Sequence, residues 1–212
     1  LEHIDPAASY IVAPLHEGFA DVVGLLHLPM NLRFAARDEL VDWPALGSGL
    51  RAGGHILISP EQPRAALRSL LRAAPQARAA HESLVVFPQG SLLGIETAFG
   101  HGAFAVAERT GMPVLPIVIT GSHRVWEHPF SPLLRFRERI AIEVLAPIEA
   151  PFPGSAIRTL ERHMKARALA SPAPVRRYDP AVDGFWDGYR FAIDPDFADV
   201  AEAVARHRAD LD

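Results

Sequence analysis

Five short apolar runs recur along the first part of the chain: SYIVAP (9–14), LRFAA (32–36), HILIS (55–59), LVVFP (84–88) and PVLPIVI (113–119). Between them lie stretches of helical character at roughly 19–30, 38–51, 63–74 and 101–110. Strands alternating with helices assemble into a parallel sheet, because each crossover returns the chain to the same end before the next strand begins. The runs are largely continuous rather than alternating, as strands must be when helices cover both faces of their sheet. The sequence therefore predicts an α/β fold with a mostly parallel central sheet flanked by helices. A sixth run, RIAIEVLAPI (139–148), alternates more and fits an edge strand, and GSAIRTLERHMKARALA (154–170) reads as one amphipathic helix.

From Ser171 the character changes. SPAPVRRYDPAVDGFWDGYRFAIDPDF is rich in Pro, Asp and aromatic residues and has no helical period until DVAEAVARHRADL at the end. Disordered segments are poor in aromatics, so the expectation is an irregular tail wrapped on the surface and anchored by Phe185, Trp186, Tyr189 and Phe191. Residues 1–170 are thus expected to form the main domain and 171–212 a C-terminal extension packed on it. No internal repeat is visible.

Composition narrows the function classes. The formal net charge of -4 gives no basic footprint for neutralising phosphates, so a nucleic-acid partner is not expected. The chain has no Cys, which excludes disulfides, thiolate metal sites and a Cys nucleophile and fits a reducing compartment. No apolar run approaches the ~18–20 residues needed to span a bilayer. The chain begins at Leu1 and enters a strand within about ten residues, which leads us to expect natural residues upstream, with room among them for a membrane anchor or targeting segment.

Three stretches carry candidate chemistry. In LHEGFAD (15–21), His16 and Asp21 are five positions apart, about 500° on an ideal helix, and so share no helical face. They must straddle a loop-to-helix junction, where the Asp21 carboxylate could accept the imidazole Nδ1–H and leave Nε2 as a base. Gly18 between them would permit a tight turn and the approach of a substrate. The bland alternative is a surface histidine and an acid favoured at a helix N-terminus. In FPQGSLLG (87–94), Gly90 and Gly94 permit a loop with backbone amides facing a ligand at the carboxyl end of a strand. Ser91 there lacks the G-x-S-x-G elbow of a nucleophile, and a turn or capping serine is the simpler reading. Gly100 and Gly102 are followed by no lysine, so no nucleotide phosphate loop is expected. The histidines, including His16, His27, His123 and His128, show no metal-binding spacing, and no metal is expected.

Taken in order, these motifs resemble the glycerolipid acyltransferase superfamily, the lysophosphatidic acid acyltransferases and their relatives. LHEGFAD is similar to the family's N-H-x-x-x-x-D motif. LRFAARDEL (32–40) is similar to its RF-x-AK-x-EL segment with Arg37 in place of Lys, FPQGS (87–91) to its FPEGTRS, and GMPVLPIVI (111–119) to its fourth block, which carries Pro116. The four blocks lie in the family's order across about residues 9–145. Departures are also present. Gln89 stands where the family has an acid, Leu92 where it has a phosphate-contacting Arg, and GGHILISPEQP (53–63) carries no Arg near 58–62.

The resemblance implies a glycerol-3-phosphate acyltransferase-like fold and transfer of a fatty acyl group from an acyl thioester, acyl-CoA or acyl-carrier protein, to a hydroxyl of a lysophospholipid-like acceptor. His16 would be the base and Asp21 its orienting partner. Gly18, Arg37, Gln89, Gly90, Ser91, Pro116 and Arg124 would line the substrate. It further implies phospholipid biosynthesis, no cofactor beyond the co-substrate, and a cytoplasmic enzyme peripheral at the inner face of the cell membrane. The missing arginines favour either a head group less anionic than a phosphomonoester or a phosphate held by a rebuilt set with Arg37 and Arg124. The rivals are a serine esterase or lipase using Ser91 with His16, and an inactive relative that binds lipid without turnover.

Overall fold

The computed structural model describes residues 2–43, 46–59, 61–127, 134–183 and 191–209. Six strands form one sheet: β1 (Ile11–Pro14), β2 (Asn31–Arg37), β3 (Ile56–Ile58), β4 (Glu82–Val85), β5 (Val114–Thr120) and β6 (Ala141–Val144), in the spatial order β3-β2-β4-β1-β5-β6. All neighbours are parallel except β5 and β6, which are antiparallel. The α/β sandwich with its antiparallel edge strand is the architecture the apolar runs predict.

The side-chain alternation of the strands sorts the apolar residues into two cores. Ile11, Ala13, Leu84, Val114 and Val118 face one side, where they meet Leu70, Ala74 and Ala77 of α3 (Pro63–Ala79), Phe104 and Val106 of α4 (Gly102–Thr110), and Leu160 and Met164 of α6 (Gly154–Leu169). Val12, Val85, Leu115, Ile117 and Ile119 face the other side. There the cover is thin: the five-residue α1 (Asp21–Leu25), whose Leu25 is buried, followed by Leu28 in the turn beyond it. The helical stretch expected at 19–30 is therefore a short helix and a turn. Pro29 explains the stop, since it disfavours the helical conformation in the residue before it, and β2 starts two residues later.

Two other boundaries differ from expectation. The 38–51 stretch is a 3₁₀ turn at Asp38–Asp42 and then α2 (Leu46–Ala52). The helix expected to end at 74 runs through Pro75 to Ala79. A proline inside a helix removes one backbone bond and costs about 3 kcal/mol, and here the fully buried Ala74 and Ala77 on the core face keep the helix intact.

β1 is the strand at which the order reverses, with β4 and β2 on one side and β5 on the other. Sheets of this class open a crevice at the carboxyl ends of the strands at such a point. From Ser171 the chain crosses this end of the molecule, its 176 and 178 amides bonded to Glu17 and Glu96, and enters α7 (Pro180–Asp183); residues 191 onward lead through a 3₁₀ turn at Pro195–Phe197 into α8 (Ala198–Ala209). The short α5 (Ser122–Val125) follows β5 here too. Phe191 packs with Ile193 and Val200 on a small cluster of Leu93, Tyr178 and Val204. Phe185, Trp186 and Tyr189, the other expected anchors, lie outside the described residues.

Candidate active site

At the carboxyl end of β1 the chain leaves the sheet and loops into α1, and this loop closes on Asp21. His16 Nδ1 lies 2.7 Å from Asp21 Oδ2, and the same oxygen accepts the backbone amides of Glu17 at 2.8 Å and Gly18 at 3.2 Å. The other carboxylate oxygen accepts a short hydrogen bond from Ser122 Oγ, on the first turn of α5. Asp21 is fully buried, whereas the His16 side chain keeps 15% of its surface exposed. The His16 ring stacks on Phe87, centroids 3.9 Å apart. With Nδ1–H donating to the carboxylate, the Nε2 lone pair is left without a partner among the described residues, which is the state a general base requires.

Gln89 holds the loop from the β4 side. Its Oε1 accepts the His16 amide at 2.7 Å while its Nε2 donates to the Gly94 carbonyl at 3.0 Å. Both ends of this buried side chain are spent on the frame, where the sequence had suggested a substrate contact. The site needs an acceptor at one end and a donor at the other, which an amide supplies and a carboxylate does not. Gly94 itself adopts φ +115°, and a Cβ there would lie 2.8 Å from the Tyr178 amide nitrogen of the tail. No larger residue fits.

Glu17, which the sequence reading passed over, ties three distant segments together. Its carboxylate accepts the amides of Gly121 at 2.8 Å and Arg176 at 3.0 Å and meets His123 Nδ1 at 3.2 Å. Burial pushes this carboxyl up from its ordinary value, against the lowering effect of the His123 and Arg176 hydrogen bonds. Arg176 is buried in turn and pairs through Nη2 with Asp183, whose carboxyl burial raises and Arg176 lowers.

The remaining expected residues are scattered around this centre. Gly18 does not face open space: a Cβ on it would come within 2.9 Å of His123 Cα and of the Trp126 carbonyl, and its amide is committed to Asp21. It is a packing glycine between two loops. Pro116 is buried mid-sheet in β5, where between the Ile117–Val144 and Val114–Ile148 pairings the β6 side carries one extra residue. The missing proline N–H falls at that irregularity, so Pro116 shapes the sheet edge. Ser91 Oγ approaches Thr97 Oγ1 at 3.5 Å, and no hydrogen bond joins it to His16 among the described residues. Gly90 turns the loop at φ +66°. Arg37 ends β2, 3.9 Å from Glu39, and Arg124 is exposed on α5. These two arginines stand on opposite sides of β1, at the carboxyl end of the sheet. Among the described residues no group of three or more His, Asp and Glu is placed to hold a metal ion, and no helix is long and apolar enough to cross a membrane.

A family model described as Acyltransferase matches residues 1–120. Curated relatives include the 1-acyl-sn-glycerol-3-phosphate acyltransferases of Cocos nucifera, 29% identical over 52% of this chain and 37% of that protein, and of Limnanthes douglasii, 30% identical over 59% and 45%. The enzyme of that name from Helicobacter pylori is 30% identical over 66% of this chain and 60% of its own. The chain thus spans less than half the length of these two plant relatives. Among solved structures, the crystal structure of the 1-acyl-sn-glycerophosphate (LPA) acyltransferase PlsC from Thermotoga maritima superposes with a TM-score of 0.61 at 20% identity, covering 80% of this chain and 68% of that one. At that identity the likeness speaks for the fold.

Proposed function

Since the chain belongs to the acyltransferase family, we propose that it moves a fatty acyl group from an acyl thioester, acyl-CoA or acyl-carrier protein, to a hydroxyl of a lysophospholipid-like acceptor. The observation that carries this reading is the His16–Asp21 contact at 2.7 Å, with the carboxylate fully buried and the imidazole partly open. His16 Nε2 takes the acceptor's hydroxyl proton as the oxygen attacks the thioester carbonyl. A C–O bond forms, the C–S bond breaks, and the proton passes from the imidazolium to the departing thiolate. Asp21 orients the ring and stabilises its cationic form. The transfer needs no covalent enzyme intermediate.

The amides of Ser91 and Leu92 follow the Gln89 clamp and carry no hydrogen bond among the described residues, which suits them to the carbonyl oxygen as it gains charge. For the head group we propose a phosphate held between Arg37 and Arg124, as the names of the relatives favour. Charge-assisted contacts of this kind contribute about 1.5–3 kcal/mol each. Work at the bilayer surface follows from the substrate's lipid character, and we place the protein at the inner face of the cell membrane.

The test is release of free thiol from acyl-CoA and from acyl-carrier protein, with lysophosphatidate, zwitterionic lyso-lipids and neutral monoacyl acceptors compared side by side. His16→Ala should abolish transfer. Arg37→Ala and Arg124→Ala should each raise KM for lysophosphatidate at least tenfold and leave neutral acceptors unchanged. Near-normal turnover by His16→Ala overturns the mechanism, and lysophosphatidate preference surviving the double arginine variant overturns the head-group assignment.

A further inference from the structure

Among the described residues only seven large hydrophobic side chains are exposed, and four of them belong to two segments tied to the dyad loop. Val23 on α1 and Leu26 at its C-terminal cap, 54% and 61% exposed, follow directly after Asp21. Leu134 and Phe136, 55% and 84% exposed, lie in the segment that leads into β6. α1 lies against the start of β6, since a Cβ on Gly24 would meet Ile142 Cδ1 at 2.9 Å and Ile140 Cγ2 at 4.0 Å, and Leu134 and Phe136 stand a few residues before these isoleucines in the chain. The 134–139 segment is fixed at both ends against the site. The Arg135 amide donates to the Val125 carbonyl of α5 at 3.0 Å, and the Arg139 carbonyl lies 2.2 Å from where a Cβ on Gly121 would stand. Phe136 therefore projects from an anchored turn, with Arg137 held in the left-handed conformation at φ 71°.

The charges of this segment run against those of the whole chain. Arg135, Arg137 and Arg139 interleave with Leu134 and Phe136, only Glu138 offsets them, and none of the three forms an ion pair among the described residues, while the chain carries a net charge of -4. Apolar side chains that stand out between unpaired arginines suit a surface that is greasy below and anionic above. We propose that Leu134–Arg139, together with the exposed side of α1, docks on an anionic lipid bilayer and brings the mouth of the His16 site to the head-group layer. This deepens the reading of the protein as a lipid acyltransferase and rests on it for its purpose, but not for its physics.

The experiment is flotation of the 212-residue chain with phosphatidylcholine vesicles and with phosphatidylcholine vesicles doped with phosphatidylglycerol. Partitioning should be at least tenfold stronger on the doped vesicles, since an arginine near such a surface is worth about fivefold, and should weaken with salt. Phe136→Asp should lower partitioning on both vesicles by about tenfold or more, with Leu26→Ser as a milder companion. Arg135→Gln with Arg137→Gln should remove most of the preference for doped vesicles. None of these side chains touches the dyad, so transfer between a short-chain thioester and a monomeric, water-dissolved acceptor should stay unchanged in every variant. Equal binding to both vesicles, or variants that float as the parent does, overturns the proposal. If the parent floats as expected while His16→Ala leaves transfer intact, the catalytic reading falls and this surface stands.

Discussion

Replacing Asp21 by Asn isolates what the carboxylate's charge contributes, because the structure dictates how the amide must sit. Three donors converge on Oδ2: the His16 ring at 2.7 Å and the amides of Glu17 and Gly18 at 2.8 and 3.2 Å. The carboxamide oxygen has to occupy that place, since an NH₂ group there would face three donors in a buried site. The NH₂ group then falls beside Ser122 Oγ, a hydroxyl that can turn and accept. The ring keeps its tautomer and orientation, and only the charge facing the imidazolium is lost. A charge-assisted hydrogen bond exceeds a neutral one by roughly 1–2 kcal/mol, about 5–30-fold in rate. This differs from triads in which Asp→Asn inverts the histidine tautomer, where the loss is on the order of 10⁴. The assay is kcat for thiol release at saturating donor, with circular dichroism to verify folding. A fall beyond a thousandfold would mean that Glu17 and Gly18 do not orient the amide, and a fall of less than fivefold would mean that the charge does nothing.

Gly18→Ala should lower stability by about 1–3 kcal/mol, because its Cβ would press at 2.9 Å on backbone atoms of His123 and Trp126. It should reduce kcat in step by shifting Ser122 away from Asp21, and loss of stability with full activity would contradict that link. Lys165→Met removes a buried ammonium that pairs with Glu161 at 2.8 Å and Asp194 at 2.6 Å, and should cost about 3 kcal/mol by denaturant titration, Arg158 still pairing with both acids. A variant as stable as the parent would show the pair to be dispensable. Burial would raise the Asp194 carboxyl, but hydrogen bonds from Arg158 and Lys165 hold it well below the usual carboxylate range. The folded state therefore binds this proton less readily than the unfolded one, so the contribution is complete above about pH 4 and drains away as the pH falls further. Asp194→Asn should lower Tm at neutral pH and flatten its acid limb, and an unchanged acid slope would refute the assignment.

The strands were legible because burial on both faces leaves a continuous apolar signature, and residues such as Val12 and Ile11 need nothing more than alternation to be sent to opposite cores. Helix lengths were less legible, since packing overrode Pro75 in one case and the chain turned at Pro29 in another. Within the site, His16 and Asp21 could be paired from spacing and motif order. Glu17 and Ser122 could not, because their partners stand 104 and 101 positions away, and the Arg176 amide that meets Glu17 is 159 positions away. Nothing local distinguishes a buried glutamate that collects distant amides from one exposed on a loop. Gln89 was visible as a departure from a motif, yet its role depends on having a donor at one end and an acceptor at the other, which only the positions of the His16 amide and the Gly94 carbonyl reveal.

Those contacts also explain why the His and the Asp are five positions apart. α1 has only five residues, too short for its dipole to account for an acid at its start. Asp21 instead closes the loop that precedes it: the Asp21 amide donates to the Gly18 carbonyl at 3.1 Å while its side chain gathers the amides of 17 and 18 and the ring of 16. The chain leaving β1 makes one tight turn and bites on its own carboxylate. A shorter spacing could not bring the imidazole round to the same oxygen as the two amides, and a longer one would leave amides of the buried loop unpaired. Within that turn Glu17 alternates to the opposite side, where it meets Gly121, His123 and Arg176. The same five-residue step thus fixes the base on one side and, on the other, anchors the β5 turn and the tail to the residue beside it.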